Sequence, residues 1–125
     1  MKKPTIVFLL ESISQPRCIK RINSFIDNGF DVEIYGIDRG KYIENANISG
    51  KKINVISKHA EGKDYIKRTF NNLKSVKRII NKYNQENTIF YSFGFILTFS
   101  LRFHNCKNYI YEIADIMYGY KKLHP

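Results

Sequence analysis

Hydrophobic positions along the chain alternate between the continuous runs typical of buried β-strands and the spaced stripes typical of amphipathic helices. The first run, TIVFLLE at 5–11, is rich in β-formers and predicts a strand buried on both faces of a parallel sheet. From Cys18 onward apolar residues recur at helical spacing, which predicts a helix that begins near Pro16 and ends at Asn28-Gly29. The segment DVEIYGI at 31–37 predicts a second strand, parallel to the first.

The same alternation continues through the rest of the chain, while residues 41–52 are polar and are expected to be irregular. Because strands alternate with helices, we expect an α/β protein: a three-layer Rossmann-like sandwich with about five parallel strands in the order 3-2-1-4-5. The remaining predicted strands are 52–57, 88–92 and 108–113, and the remaining predicted helices are 62–83 and 94–103.

Composition is that of one globular domain, 1–125, with 43% hydrophobic and 26% charged residues. The N-terminal apolar run is too short for a signal peptide, and polar residues interrupt the longest apolar stretch, 89–103. Cys18 and Cys106 lie far apart in no metal-binding spacing, so we expect two reduced thiols, with Cys18 on an apolar helix face, and no metal site. These features predict a cytoplasmic protein.

The net charge of +10 requires an explanation, and nucleic acid, an anionic membrane surface or a phosphate-bearing ligand could each provide one. Part of it could also reflect an AT-rich genome, which favours Lys, Ile, Asn and Tyr codons. The predicted helix at 62–83 concentrates basic residues, and its opposite face is apolar. A solvated basic face is the simplest interpretation, and peripheral contact with anionic lipid is the functional alternative. No nucleic-acid-binding motif is present, so no nucleic acid is expected. The candidate membrane-contact residues are Lys67, Arg68, Lys74, Lys77 and Arg78.

A ligand site is expected where the strand order reverses, beyond the carboxyl ends of the first and fourth predicted strands. The loops that meet there are 11–16 and 92–94, with 113–119 alongside. Their side chains would form a polar crevice for a hydroxyl-bearing ligand. The candidate substrate-binding residues are Glu11, Ser12, Ser14, Arg17, Ser92 and Tyr118, and the candidate catalytic residue is Asp115.

Three of these candidates also have a structural interpretation. Glu11 could equally cap a helix or stabilise a loop, and Arg17 in a first helical turn is more often solvated. Asp115 follows the last strand among apolar neighbours, which would raise its pKa toward that of a general base, although it could instead cap a turn. Glu112 alternates with buried strand residues, so we expect it to form a salt bridge to a neighbouring helix.

Several nucleotide and catalytic motifs are missing. The first strand–helix turn contains no GxGxxG, which disfavours a nicotinamide dinucleotide, and the chain has no P-loop, serine elbow or HExxH. The histidines, His59, His104 and His124, are isolated and expected at the surface.

Three stretches of the sequence resemble the N-terminal domain of bacterial family 4 (group 1) glycosyltransferases of GT-B fold. RCIKRINSFIDNGFDVEIYGIDRG (17–40) is similar to the first helix and second strand of that family, and TIFYSFGFILTFSLRFHN (88–105) to its fourth strand and following helix. NYIYEIADIMYGY (108–120) resembles the YE-x-x-D end of its fifth strand.

This resemblance implies half of an enzyme that transfers a sugar from a nucleotide-sugar to a glycan or lipid-linked acceptor in surface polysaccharide biosynthesis. The N-terminal domain would hold the acceptor and no cofactor. The nucleotide-sugar would bind a C-terminal domain that is absent here, so this chain alone is expected to be inactive. A peripheral location on the cytoplasmic membrane would then give the basic helix a role. The alternatives are a stand-alone flavodoxin- or receiver-like module that binds a protein partner, and a basic nucleic-acid binder.

Overall fold

A computed structural model of the chain describes residues 3–11, 16–38, 47–48, 50–58 and 65–112. These residues form one mixed sheet flanked by helices on both faces. The strands are β1 (Thr5–Leu10), β2 (Val32–Asp38), β3 (Asn47–Ile48), β4 (Lys51–Lys58), β5 (Thr88–Phe93) and β6 (Tyr109–Glu112). The helices are α1 (Pro16–Asp27), α2 (Tyr65–Lys82) and α3 (Phe95–Phe103), and a 3-10 turn occupies Gln85–Asn87.

The sheet order is β3-β4-β2-β1-β5-β6. All strands except β3 are parallel to their neighbours, so the five strands predicted from the sequence have the predicted order 3-2-1-4-5. The remaining strand, β3, pairs antiparallel with β4. It was not predicted, because two residues are too few to show the alternation that identifies a strand.

Helix α1 covers one face of the sheet as its sequence predicts. Cys18 and Ile22 are fully buried against the strands, and Phe25 packs edge-on against Phe8. The helix ends in a Schellman motif, in which the N–H of Phe30 donates to the carbonyl of Phe25 and that of Gly29 to the carbonyl of Ile26. The predicted Asn28-Gly29 terminus is therefore confirmed.

The core has two halves because β1 is buried on both faces. Ile6, Phe8 and Leu10 lie on the α1 face, whereas Val7 and Leu9 lie on the face covered by α2 and α3. This double burial explains the continuous apolar run at 5–10 and makes the fold a three-layer sandwich, as predicted.

The carboxyl ends of the parallel strands meet at one edge of the sheet. Leu10 lies opposite Gly36 of β2 and Phe93 of β5, and Phe93 lies opposite Glu112 of β6. From β1 the chain passes through α1 to β2, on one side, whereas α2 returns it to β5 on the other side of β1. The strand order therefore reverses between β1 and β5, where ligands of such sheets bind.

Candidate functional site

Glu11 and the amino end of α3 meet at the point where the strand order reverses. The backbone N–H of Glu11 donates to the carbonyl of Phe93 at 3.3 Å, which continues the pairing of β1 with β5. Its carboxylate oxygen Oε1 accepts the N–H groups of Ile96 at 2.7 Å and Leu97 at 3.2 Å. These donors are among the groups that a helix leaves unpaired at its amino end. Glu11 therefore caps α3, which was one of its two predicted roles, and ligand contact by Glu11 stays a prediction.

Gly94 makes this close approach possible. It precedes α3 with φ at 121°, a backbone conformation that side chains disfavour. A Cβ atom at Gly94 would lie 2.1 Å from Cδ of Glu11. Glu11 and Gly94 are thus in close contact at the point where the strand order reverses.

Ser92 lies beneath α3 rather than in an open crevice. It is completely buried, and its hydroxyl lies 2.6 Å from that of Thr98, which donates to the carbonyl of Gly94. The strand alternation of β5 turns Ser92 toward α3 while Phe93 turns toward α1. The predicted exposure of Ser92 to a ligand is therefore corrected: its hydroxyl joins β5 to α3.

Arg17 is exposed in the first turn of α1, the helix that follows β1. A cation thus lies at the start of α1, a few residues along the chain from Glu11. Ligand contact by Arg17 stays a prediction. The other candidates for this edge, Ser12, Ser14, Asp115 and Tyr118, lie outside the described residues.

A second polar cluster, formed by Glu112, Arg21 and Tyr91, lies where β6 ends. The sequence predicted only that Glu112 would pair with a helix. One oxygen of Glu112, Oε1, accepts hydrogen bonds from Nε of Arg21 at 2.8 Å and from the hydroxyl of Tyr91 at 2.7 Å. The predicted salt bridge from Glu112 to a neighbouring helix is therefore confirmed, with Arg21 of α1 as its partner. The second oxygen, Oε2, is buried and forms no hydrogen bond with the described part of the chain.

Burial raises the pKa of three side chains, two of which, Tyr91 and Cys18, are also influenced by Glu112. Burial and the hydrogen bond to Glu112 raise the pKa of Tyr91 to about 12. Burial, followed by the nearby Glu112 carboxylate, raises the pKa of the Cys18 thiol to about 11, and burial also raises the pKa of Cys106. Both cysteines are free and buried, so at neutral pH they are protonated thiols and poor nucleophiles.

His104 has a structural position that the sequence did not reveal. It is half-buried at the carboxyl end of α3, and its Nε2 lies 2.8 Å from the carbonyl of Leu73 in α2. The prediction of an isolated surface histidine is wrong at this position, because His104 connects the two helices. His59 and His124 lie outside the described residues.

Within the described ranges, no group of three or more His, Cys, Asp or Glu side chains is placed to hold a metal ion. No helix in the same ranges is long and apolar enough to cross a membrane.

The arrangement defines an α/β domain with a Rossmann-like sheet and a polar edge at its strand-order reversal. No family model matches the chain, and comparisons with curated proteins and with solved structures found no significant match.

Proposed function

We propose that this chain is the acceptor-binding N-terminal domain of a glycosyltransferase that acts in surface polysaccharide biosynthesis. Two observations support the proposal: the three stretches that resemble such enzymes, and a Rossmann-like sheet whose order reverses beside Glu11. In this proposal a hydroxyl-bearing glycan or lipid-linked acceptor lies along the carboxyl ends of β1, β5 and β6.

The contact between Glu11 and α3 is the observation that favours an acceptor over a nucleotide at this edge. In nucleotide-binding sheets, an exposed helix amino end commonly binds the phosphate groups. Here the amino end of α3 already receives a carboxylate at 2.7 Å, and a second anion would be repelled. A neutral, hydroxyl-bearing ligand suits this edge better, and the nucleotide-sugar is assigned to a separate C-terminal domain.

The chemical roles follow from this division. Asp115, which follows β6 in the sequence, is proposed as the base that accepts the proton of the acceptor hydroxyl. Arg17 is proposed to donate hydrogen bonds to the acceptor. This domain needs no cofactor, and we expect no sugar transfer by this chain alone. The working location would be the cytoplasmic side of the membrane.

The flavodoxin- or receiver-like alternative fits the sheet less well. Those modules have the strand order 2-1-3-4-5, in which the first strand lies between the second and third. Here β1 lies between β2 and β5, which is the order of a Rossmann-type half. The sheet order therefore favours a glycosyltransferase half over a partner-binding module of that kind.

The test is a glycan array probed with the wild-type chain and with two variants of α1. Arg17→Gln removes the exposed cation near the proposed acceptor edge, and Lys20→Gln removes another exposed cation one turn further along. We expect binding to a set of bacterial surface glycans that Arg17→Gln weakens about tenfold, the loss of one charge-assisted hydrogen bond. Lys20→Gln should leave binding unchanged. Failure to bind any glycan, or equal losses in the two variants, would contradict the proposal.

A further inference from the structure

The solvent-facing side of α2 combines cations with an exposed aromatic ring. Phe70 is 59% exposed, and Lys74, Lys77 and Arg78 are exposed on the same side, at helical spacings of four, seven and eight residues. The opposite side of α2, which includes Val76, is buried against the sheet. The exposure of Phe70 is therefore a property of the outer side of the helix, where core packing provides no reason for an aromatic residue.

The outer side of α3 has the same character. Phe99 is 47% exposed and Phe103 is 60% exposed, one turn apart, with their ring centroids 6.2 Å apart. Arg102 is exposed between them, while Leu97 and Leu101 on the inner side are completely buried. A nine-residue helix thus presents two phenylalanines to solvent.

These two outer sides belong to one layer. Helices α2 and α3 cover the same face of the sheet and are joined by the contact between His104 and the Leu73 carbonyl. Neither helix contains an acidic residue. We call the combined surface the aromatic–basic face; its residues are Phe70, Lys74, Lys77, Arg78, Phe99, Arg102 and Phe103.

We propose that the aromatic–basic face docks on an anionic membrane surface. The cations would contact anionic headgroups, and Phe99 and Phe103 would enter the boundary between headgroups and acyl chains. The cations are complementary to an anionic partner, and the two exposed, neighbouring rings favour a partner into which apolar side chains can insert. A fluid bilayer that contains anionic lipid has both properties. Lys74, Lys77 and Arg78 were predicted from the sequence as membrane contacts, together with Lys67 and Arg68, whose side chains lie outside the described part of the chain. Arg102 and the aromatic residues beside these cations come from the structure. This inference is independent of the glycosyltransferase proposal.

The experiment is co-sedimentation of the full chain with two kinds of vesicle, one of phosphatidylcholine alone and one that also contains phosphatidylglycerol. We expect binding only to the anionic vesicles, and we expect it to weaken as salt is added. Lys74→Gln/Lys77→Gln/Arg78→Gln should weaken this binding about 100-fold, because each cation near such a surface contributes about a factor of five. Phe99→Ser/Phe103→Ser should weaken it at least about tenfold through lost apolar insertion.

A matched control separates a local contact from general attraction to a basic protein. Lys20→Gln/Lys51→Gln/Lys52→Gln also removes three exposed cations, but from α1 and β4. It should bind nearly as well as wild type. Since all substituted side chains are exposed, circular dichroism should show each variant folded.

Four results would overturn the proposal. Equal binding to both kinds of vesicle would show that the cations do not drive binding. An equal loss of binding in the control variant and in the Lys74/Lys77/Arg78 variant would show that binding does not depend on the aromatic–basic face. Unchanged binding by the Phe99→Ser/Phe103→Ser variant would show that these two side chains do not insert into the bilayer. Salt-sensitive binding to duplex DNA without binding to anionic vesicles would assign the face to nucleic acid instead. A sugar-binding defect, measured on the array, is not expected in any of these variants, so the two proposals can fail separately.

Discussion

At the residue scale, Glu112 shows which part of a polar contact can be predicted from sequence. Its place in an alternating strand pattern predicted an ion pair with a helix, and Arg21 provides it. The sequence did not predict Tyr91, because β5 is buried on both faces and its apolar run does not indicate which side each residue faces. The hydroxyl of Tyr91 reaches Glu112 only because β5 and β6 are neighbours in register.

Tyr91→Phe should destabilise the protein by about 1.5–3 kcal/mol, since it removes one of two hydrogen bonds to a largely buried carboxylate. Arg21→Gln should cost less, about 0–1 kcal/mol, because the Arg21 side chain is 47% exposed and solvent screens the pair. Urea unfolding at neutral pH measures both. A larger loss for Arg21→Gln would show that the ion pair, not the phenol, satisfies Glu112.

The raised pKa of Tyr91 predicts a loss of stability at high pH. In the folded protein this pKa is about 12, compared with 10.0 for an unperturbed tyrosine, so the folded state holds the proton more tightly. The resulting stabilisation is complete below pH 10 and is lost as the pH rises from 10 toward 12. The difference in unfolding free energy between wild type and Tyr91→Phe should therefore shrink over this interval. A constant difference in urea titrations across it would contradict the assignment.

At the scale of elements, hydrophobic spacing predicted each major strand and helix, because double burial and amphipathic packing leave strong periodic signals. The hairpin strand β3 left no such signal. The cap on α3 was also undecidable from sequence: Glu11 and Ile96 are far apart in the chain, and only the pairing of β1 with β5 brings them together. The same pairing encloses Ser92, which the sequence placed in an open crevice.

Glu11 and Gly94 should behave as one unit in a double-mutant cycle. Glu11→Ala should cost about 0.5–2 kcal/mol, the usual effect of losing a helix cap. Gly94→Ala should be severe in the wild type, where the new Cβ would meet Glu11, and about 1–2 kcal/mol milder in the Glu11→Ala background.

Gly50→Ala is the matched control for this cycle. Gly50 also has a positive φ, 83°, but a Cβ there would meet no atom within 4 Å. Its cost should reflect backbone strain alone and should be the same in both backgrounds. Additive effects of Glu11→Ala and Gly94→Ala in urea unfolding would contradict the close contact between them.

At the scale of the whole molecule, the sheet order followed from general rules. Short connections and right-handed crossovers place β2 beside β1, and the long helix α2 returns the chain to the other side of β1. The position of the candidate site follows from that order. Its chemistry does not, because ligand preference depends on loop side chains rather than on the sheet.

We propose that the carboxyl edge beside β1 binds an acceptor and not a nucleotide. The most direct measurement is an amide chemical-shift titration of the isotope-labelled chain with a glycan selected on the array and, separately, with nucleotide-sugars. We expect the glycan to shift the amides of Glu11, Arg17 and Gly94, and we expect nucleotide-sugars to shift none of them. Shifts of these amides by a nucleotide-sugar, or glycan-induced shifts confined to other parts of the sheet, would contradict it.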